Sequence, residues 1–326
     1  MSEQESCKYH NPEGKQCESK NMGAGYCFWH DKNIDKSGMD LSERLQNYAA
    51  DGGMMQGLQL KQANLKNIRL VRRGCSVGYD MRDADLYHAN MDNAHLFNIN
   101  LSGSSLMKTK LNNSKLHKAN LQNTNLLGVK LANARIDNIK IGSELQQEAI
   151  AKQADLENDR EKAIDNYEQS EEIYRNLRKT AELDGLHILA GRLAHQELVM
   201  RRKQYAPYSK DRLVSKAVDL FCGYGESPMN VIVFSLGMIL FCAILYFIFG
   251  IKEADSIIQM SLANSFVDNL YNFFSTIYFS VVTFTTLGYG DITPVGFSRL
   301  IATIEAFIGS FALALYVVVF VQKTTR

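Results

Sequence analysis

Residues 273–291 read FFSTIYFSVVTFTTLGYGD, and this stretch sets the fold of the C-terminal third of the chain. Phe273–Phe284 is apolar or hydroxyl-bearing and uncharged. As a helix its twelve residues would reach about 18 Å, too short for a hydrocarbon core of roughly 30 Å. The following loop, Thr285–Asp291, places Gly288 and Gly290 at alternate positions, where the backbone can take dihedrals other residues resist. Two longer apolar runs flank it. Residues 229–250, MNVIVFSLGMILFCAILYFIFG, carry no charge and would reach about 33 Å as a helix. Residues 297–321 form a second run, interrupted by Glu305. A short uncharged helix between two spans predicts a re-entrant element, tolerated at membrane depth only where protein satisfies its irregular backbone.

The charges around these runs predict an orientation. Lys210, Arg212 and Lys216 precede the first span, and Lys323 and Arg326 follow the second. Between the spans Lys252 stands beside Glu253, Asp255 and Asp268. This bias places both termini in the cytoplasm and the protein in the plasma (inner) membrane, as a two-span protein bounded by lipid. Over residues 208–228, Leu213, Val214, Ala217, Leu220 and Phe221 alternate with Lys216 and Asp219, the pattern of an interfacial helix on the inner leaflet. Glu305 sits at membrane depth, where a carboxyl group is costly and functional by default. A hydroxyl such as Ser275 or Thr276 is its expected partner, the alternative being a protonated, merely packed side chain. No segment carries an arginine stripe, so steep voltage dependence is not expected.

The motif Thr285-Thr286-Leu287-Gly288-Tyr289-Gly290-Asp291, flanked by a short helix and two spans, resembles the signature of two-span potassium channels, with Leu287 where valine is commoner. The resemblance implies a homotetramer in which K+ is held by Thr286, Leu287, Gly288, Tyr289 and Gly290, with Thr285 and Asp291 as support. A dehydrated ion needs several oxygen ligands, which one loop cannot supply and four loops on an axis can. Tyr289 differs from the Asp typical of nonselective relatives. Val282 stands where some members pair a Glu with the filter Asp, so that pair is not expected. Gly309, ten residues after Arg299, falls where the family's inner-helix hinge glycine occurs, though a small residue there also permits close packing. Glu305, one turn earlier, is the second gating candidate.

The remainder of the chain addresses a different solvent. The 326 residues hold 36 basic and 35 acidic side chains at a mean hydropathy of -0.20, yet residues 229–326 carry nine of these charges. The first 228 residues are at +2 and the last 98 at -1. A near-neutral soluble part argues against a broad nucleic-acid surface, and nucleic acid is not an expected partner. The start, MSEQESCKYH, has no apolar run and is not expected to be a signal peptide. The histidines are scattered and form no nucleophile–base constellation, so an enzyme is not expected.

From Leu86 an apolar residue recurs every five positions, through Met91, Leu96, Leu101 and onward to Ile141, with a small or apolar residue two positions before each. Five steps of 100° scatter the leucines around a helix, and an odd period flips faces in a strand. The period fits a chain that turns a corner every five residues, four sides closing a coil with both residues pointing inward. About four coils would give a rod of roughly 20 Å. Ala63-Asn64-Leu65, Ala84-Asp85-Leu86 and Ala119-Asn120-Leu121 resemble the pentapeptide-repeat family, which implies a right-handed quadrilateral β-helix. The register slips by one residue between Leu70 and Met81, around Gly74 and Gly78. Some members of that family mimic DNA and bind gyrase, which needs an acidic surface. Residues 58–141 are rich in Lys, Asn and His, so a scaffold or docking surface for an unknown protein or ligand is expected instead.

At the N-terminus Cys7, Cys17, Cys27 and His30 are spaced C-x9-C-x9-C-x2-H, a donor set suited to one tetrahedral, structural Zn2+, with His10 as an alternative ligand. The spacing is similar to the plant WRC-type motif, whose third gap is one residue longer, and no function follows from it. Residues 144–204 lack proline and show a helical stripe of Ile164, Tyr167, Ile173, Tyr174 and Leu177, with a turn at Asp184-Gly185. This resembles a TPR-like hairpin.

The expected fold class is multidomain α and β: a right-handed quadrilateral β-helix, a helical hairpin, and an α-helical two-span pore domain with a re-entrant pore helix. The expected domains are a Cys/His zinc knot over 1–45, the solenoid over 55–142, the helical connector over 143–207, the interfacial helix over 208–228 and the two-span pore over 229–326. The expected function is a potassium-selective channel gated or modulated by its cytoplasmic part. The alternatives are a membrane-anchored pentapeptide-repeat scaffold and a weakly selective cation channel.

Overall fold

A computed structural model describes residues 6–72, 74–254, 256–260 and 265–325. Asp255 and Arg326, both counted above among the charges at the spans, lie outside the described residues. The chain forms two compact units, Met1–Pro207 and Tyr208–Arg326, each with its own core.

In the first unit the five-residue period becomes a coil of twenty. Parallel bridges join Asp85 to Ser105, Asn90 to Lys110, His95 to Lys115 and Asn100 to Asn120, and each ladder continues twenty residues further on. The repeat leucines from Leu86 to Leu131 are at most 5% exposed, and the small residues two positions before them share the interior. Where that second position is a hydroxyl it must find a partner, since an unpaired buried polar group costs about 1–3 kcal/mol. Ser104, Thr109 and Thr124 donate to the carbonyls of Met81, Leu86 and Leu101 at 2.8–3.0 Å. Ser114 Oγ is buried without one.

The corners explain another regularity. The residue two after each leucine takes a left-handed φ, as at Asn93 (60°), Asn98 (57°), Asn113 (57°) and Asn123 (54°). Asparagine and glycine tolerate that region best, and they hold most of these positions. The register slip is an insertion. Before it Gln59 bridges Asp85 and Arg69 bridges His95, a separation of 26; after it Asp80 bridges Asn100, a separation of twenty. Six extra residues thus loop out, and a Cβ on Gly78 would overlap the Asn98 carbonyl, so glycine lets the loop lie against the coil.

The N-terminal segment adds to the first coil. Helix α1 (Ser42–Ala50) crosses residue 45, buries Leu45 and Ala49, and is followed by a left-handed Gly52. The helical region is three helices where the sequence predicts a hairpin: α2 (Gln146–Leu156), α3 (Arg160–Leu183) and α4 (His187–Gln204). Left-handed Asn158 breaks the first from the second, and Asp159 caps α3 by accepting from the Lys162 amide at 3.1 Å. Between α3 and α4 lies an ion cluster in which two buried glutamates meet partly exposed arginines. Glu171 contacts Arg175 and accepts from Arg201 at 2.9 Å, while Glu197 accepts from Arg175 and Arg178 at 3.1 and 2.8 Å.

The second unit begins with amphipathic α5 (Lys210–Cys222), capped by Ser209 and ended by left-handed Gly223. Helix α6 (Pro228–Phe249) starts on a proline, whose missing N–H is no loss at a helix start. Strands β1 (Ile251–Glu253) and β2 (Ser256–Ile258) form a hairpin, α7 spans Phe266–Phe284, β3 is Ile292–Pro294 and α8 is Ser298–Thr325. The apolar helices Pro228–Phe249 and Ser298–Val321, 22 and 24 residues long, can each cross a membrane. Only 22% of the 18-residue apolar window in each is buried within the chain, whereas a soluble core helix would be mostly covered. Helix α7 starts seven residues before the expected Phe273, because the polar turn around Asp268 and Asn269 joins it.

Candidate functional site

The Thr285–Asp291 loop grows out of the end of α7. The amides of Thr285, Thr286 and Leu287 donate to the carbonyls of Val281, Thr283 and Val282, each at 3.0 Å, so the helix unwinds gradually. The sign of φ then alternates. Thr286 (58°), Gly288 (59°) and Gly290 (79°) are left-handed, while Leu287 and Tyr289 between them are not. In an extended strand successive carbonyls point opposite ways; reversing φ at every second residue turns them to one side. Glycine does this freely, whereas a threonine held left-handed costs about 1–3 kcal/mol, a cost met at functional sites. The glycines were legible in the sequence, but nothing in it marks Thr286. On the single chain the loop is open, with Leu287 59% and Tyr289 68% exposed.

Asp291 does have a partner. The Tyr278 hydroxyl donates to its Oδ2 at 2.8 Å, while Val282, one turn further along α7, is buried and has no carboxyl group to offer. The four-residue spacing of Tyr278 and Val282 on one helix face is the signal that could have revealed this. Beyond Asp291 the chain enters β3, which pairs antiparallel with β1. The buried Ser298 hydroxyl donates to the Gly250 carbonyl at 2.7 Å. The far end of the loop is therefore tied to the end of α6, an attachment the sequence did not foretell.

Behind the loop lie the two gating candidates. Gly309 of α8 packs on the end of α7, where a Cβ would overlap the Phe284 carbonyl oxygen. Glu305, one turn earlier, is 1% exposed. Its expected partners, Ser275 and Thr276, are replaced by Ser280 on the same helix, whose Oγ is 2.5 Å from Oε1. Thr276 instead donates to the Phe273 carbonyl. The Tyr246 hydroxyl of α6 donates to Glu305 Oε2 at 2.6 Å, and the Tyr246 ring meets Phe279 edge-on at 4.8 Å.

In the first unit Cys7, Cys17, Cys27 and His30 converge, their ligand atoms all within 4.8 Å of one another and all four residues buried. Cys17 and Cys27 Sγ are 4.0 Å apart, and Cys27 Sγ is 3.2 Å from His30 Nδ1. Sulfurs on one tetrahedral zinc would be about 3.8 Å apart, so the donor set and its span fit. The Cys27 thiol, bonding to Cys17, draws Cys17 down to about 3 and is itself pushed up. His30 presents Nδ1 to the cluster while Nε2 lies 2.9 Å from the Gln56 carbonyl, and Tyr9 stacks on the ring at 4.2 Å. A donor bond from Nε2 would fix the tautomer that leaves Nδ1 free to ligate. His10 lies apart, bonded to the Lys8 carbonyl.

Residues 233–326 match the ion-channel family model, and residues 78–103 and 104–140 match pentapeptide repeats in eight copies. No curated protein matches the chain. Among solved structures it is similar to HetL, a pentapeptide repeat protein involved in heterocyst differentiation regulation from Nostoc sp. strain PCC 7120. There the identity is 23%, the TM-score 0.17, and the match covers 26% of this chain and 48% of HetL, about half its length. Rfr23, a pentapeptide repeat protein from Cyanothece 51142, is 20% identical over 32% of this chain and 97% of its own, with a TM-score of 0.19. The chain thus carries an ion-channel domain in its C-terminal unit and pentapeptide repeats in its N-terminal one.

Proposed function

We propose that the protein is a potassium-selective channel, assembled as a homotetramer in the plasma (inner) membrane with both termini cytoplasmic. The observation that carries this reading is the alternation of left-handed Thr286, Gly288 and Gly290 directly after α7. Four such loops around an axis would stack rings of carbonyls from Thr286 to Tyr289, which replace the hydration shell of K+. On this reading α7 is the re-entrant pore helix, and the exposure of Leu287 and Tyr289 on one chain is relieved by its neighbours. Potassium sheds water near Asp291, passes in single file from Tyr289 to Thr286, and enters a cavity lined by α8. Opening comes from movement of α8 near Gly309 and Glu305.

In the first unit the repeats wind as a right-handed quadrilateral β-helix and modulate the pore as a scaffold or docking surface. Cys7, Cys17, Cys27 and His30 hold one Zn2+, which closes its own coordination sphere and is structural. The protein is not an enzyme and does not bind nucleic acid. Purified protein in liposomes tests the central claim. A K+-selective flux blocked by barium is expected; equal Na+ and K+ permeability would favour a weakly selective channel, and no flux a membrane-anchored scaffold.

A further inference from the structure

Glu305 is the buried carboxyl group of the second unit among the described residues, and the hydrogens around it can be counted. The Tyr246 hydroxyl has one hydrogen and gives it to Oε2 at 2.6 Å. The Ser280 hydroxyl also has one, but two oxygens lie within reach: Glu305 Oε1 at 2.5 Å and the Ile239 carbonyl of α6 at 2.8 Å. A carbonyl oxygen only accepts. An ionised carboxylate would only accept as well, leaving one Ser280 contact with lone pairs facing each other between two buried side chains. A proton on Glu305 removes the conflict. Oε1 then donates to Ser280, Ser280 donates to Ile239, and Tyr246 donates to Oε2, so every close contact holds a hydrogen. Cys242 of α6 also faces the carboxyl group, but as a weak donor to it that brings nothing to the Ile239 carbonyl. No Lys, Arg or His among the described residues pairs with Glu305 to favour the anion.

We infer that Glu305 works as a neutral carboxylic acid, a positioning residue whose proton completes a relay from α8 through Ser280 of α7 to the Ile239 carbonyl of α6. The relay holds α7 against both spans one turn before its end. Loss of the proton would force Ser280 to choose between Glu305 and Ile239, and so release α7 from one neighbour. The inference uses the channel reading only for its flux readout.

Infrared difference spectra of the full-length protein in lipid at neutral pH, parent against E305Q, test the proton directly. A protonated carboxyl stretch that vanishes in E305Q is expected; its absence from the parent overturns the inference. In liposomes E305Q should keep the parent's K+ flux, because its amide donates to Ser280 and its carbonyl accepts from Tyr246. E305A should lower that flux about tenfold, the equivalent of one buried hydrogen bond. An E305Q protein that folds and assembles like the parent yet conducts as poorly as E305A would show that the negative charge is needed, and would overturn it. If the parent itself conducts nothing, the channel reading fails while the spectrum still decides the proton.

Discussion

Gly309 and the Phe284 carbonyl oxygen occupy touching positions, with no room between α8 and the end of α7 for even a methyl group. Of the two roles the sequence allowed for this glycine, close packing is the one this contact describes. A hinge at Gly309 would push on the last carbonyl of α7, immediately before the Thr285–Asp291 loop. Gly309→Ala should therefore force α8 and α7 apart, destabilising the protein by about 1–3 kcal/mol, as overpacking does. Thermal unfolding checks the stability, and flux measurement should show selectivity lost along with conductance. A variant with wild-type stability and selectivity would refute the contact.

The bond from Tyr278 to Asp291 predicts a milder lesion. Tyr278→Phe removes a hydroxyl at an exposed position of the single chain, so fold and expression should be unchanged. The Asp291 carboxylate would lose its fixed orientation at the end of the Thr285–Asp291 loop. On the proposed channel reading, K+ current should decay faster during sustained opening, read from single-channel records.

Inside the solenoid two hydroxyls of similar burial should behave oppositely. Thr109→Val discards a bond to the Leu86 carbonyl and should cost about 1 kcal/mol. Ser114→Ala removes a buried hydroxyl with no partner and should be neutral or stabilising by up to about 1 kcal/mol. Paired denaturation curves decide, and equal losses at both positions would contradict the bonding pattern.

Acid should loosen the helical segment. Burial works to raise the Glu171 carboxyl, but the bonds from Gln204 and Arg201 outweigh it and hold it below the ordinary range. A group depressed in the folded state contributes stability that is complete above its unfolded pKa and lost as pH falls through the folded one. Below about pH 4 hydrogen exchange at α3 should accelerate. Glu171→Gln should flatten that dependence while lowering stability at neutral pH by about 1 kcal/mol, because Arg175 and Arg201 stay partly in water.

On the proposed reading, metal analysis should find one zinc per chain in the parent and lose it in Cys17→Ser. Without the metal, exchange protection should fall first at Gln56 to Gln59, because His30 and Trp29 bond to the backbone there. Substoichiometric zinc that Cys17→Ser leaves unchanged would count against the site.

How much of this was legible depended on whether sequence spacing equals spatial spacing. The leucines at period five, the long apolar runs and the alternating glycines state local geometry directly, and the coil, the two long helices and the Gly288 and Gly290 dihedrals follow. The left-handed corners were also written in the asparagines and glycines that stand two after most of the repeat leucines. Ser280 was out of reach for a different reason. Choosing it over Ser275 or Thr276 requires the rotation of α7 against α8, which no single-helix pattern contains. The pairing of β1 with β3 is similarly invisible, since three-residue strands separated by some forty positions carry too few residues to show alternation.

The twenty-residue coil makes chain length along the solenoid a quantised variable. Deleting residues 105–124 would remove one storey of about 4.8 Å and leave α2, α3 and α4 facing the same direction as before. Deleting five would swing them by a quarter turn. The six residues looped out beside Gly78 show the remaining option, in which an insertion that fits no whole number of sides leaves the wall altogether. Homologous solenoids can thus grow in height without re-aiming what they carry only in steps of a full storey, and a shorter change is a change of bearing.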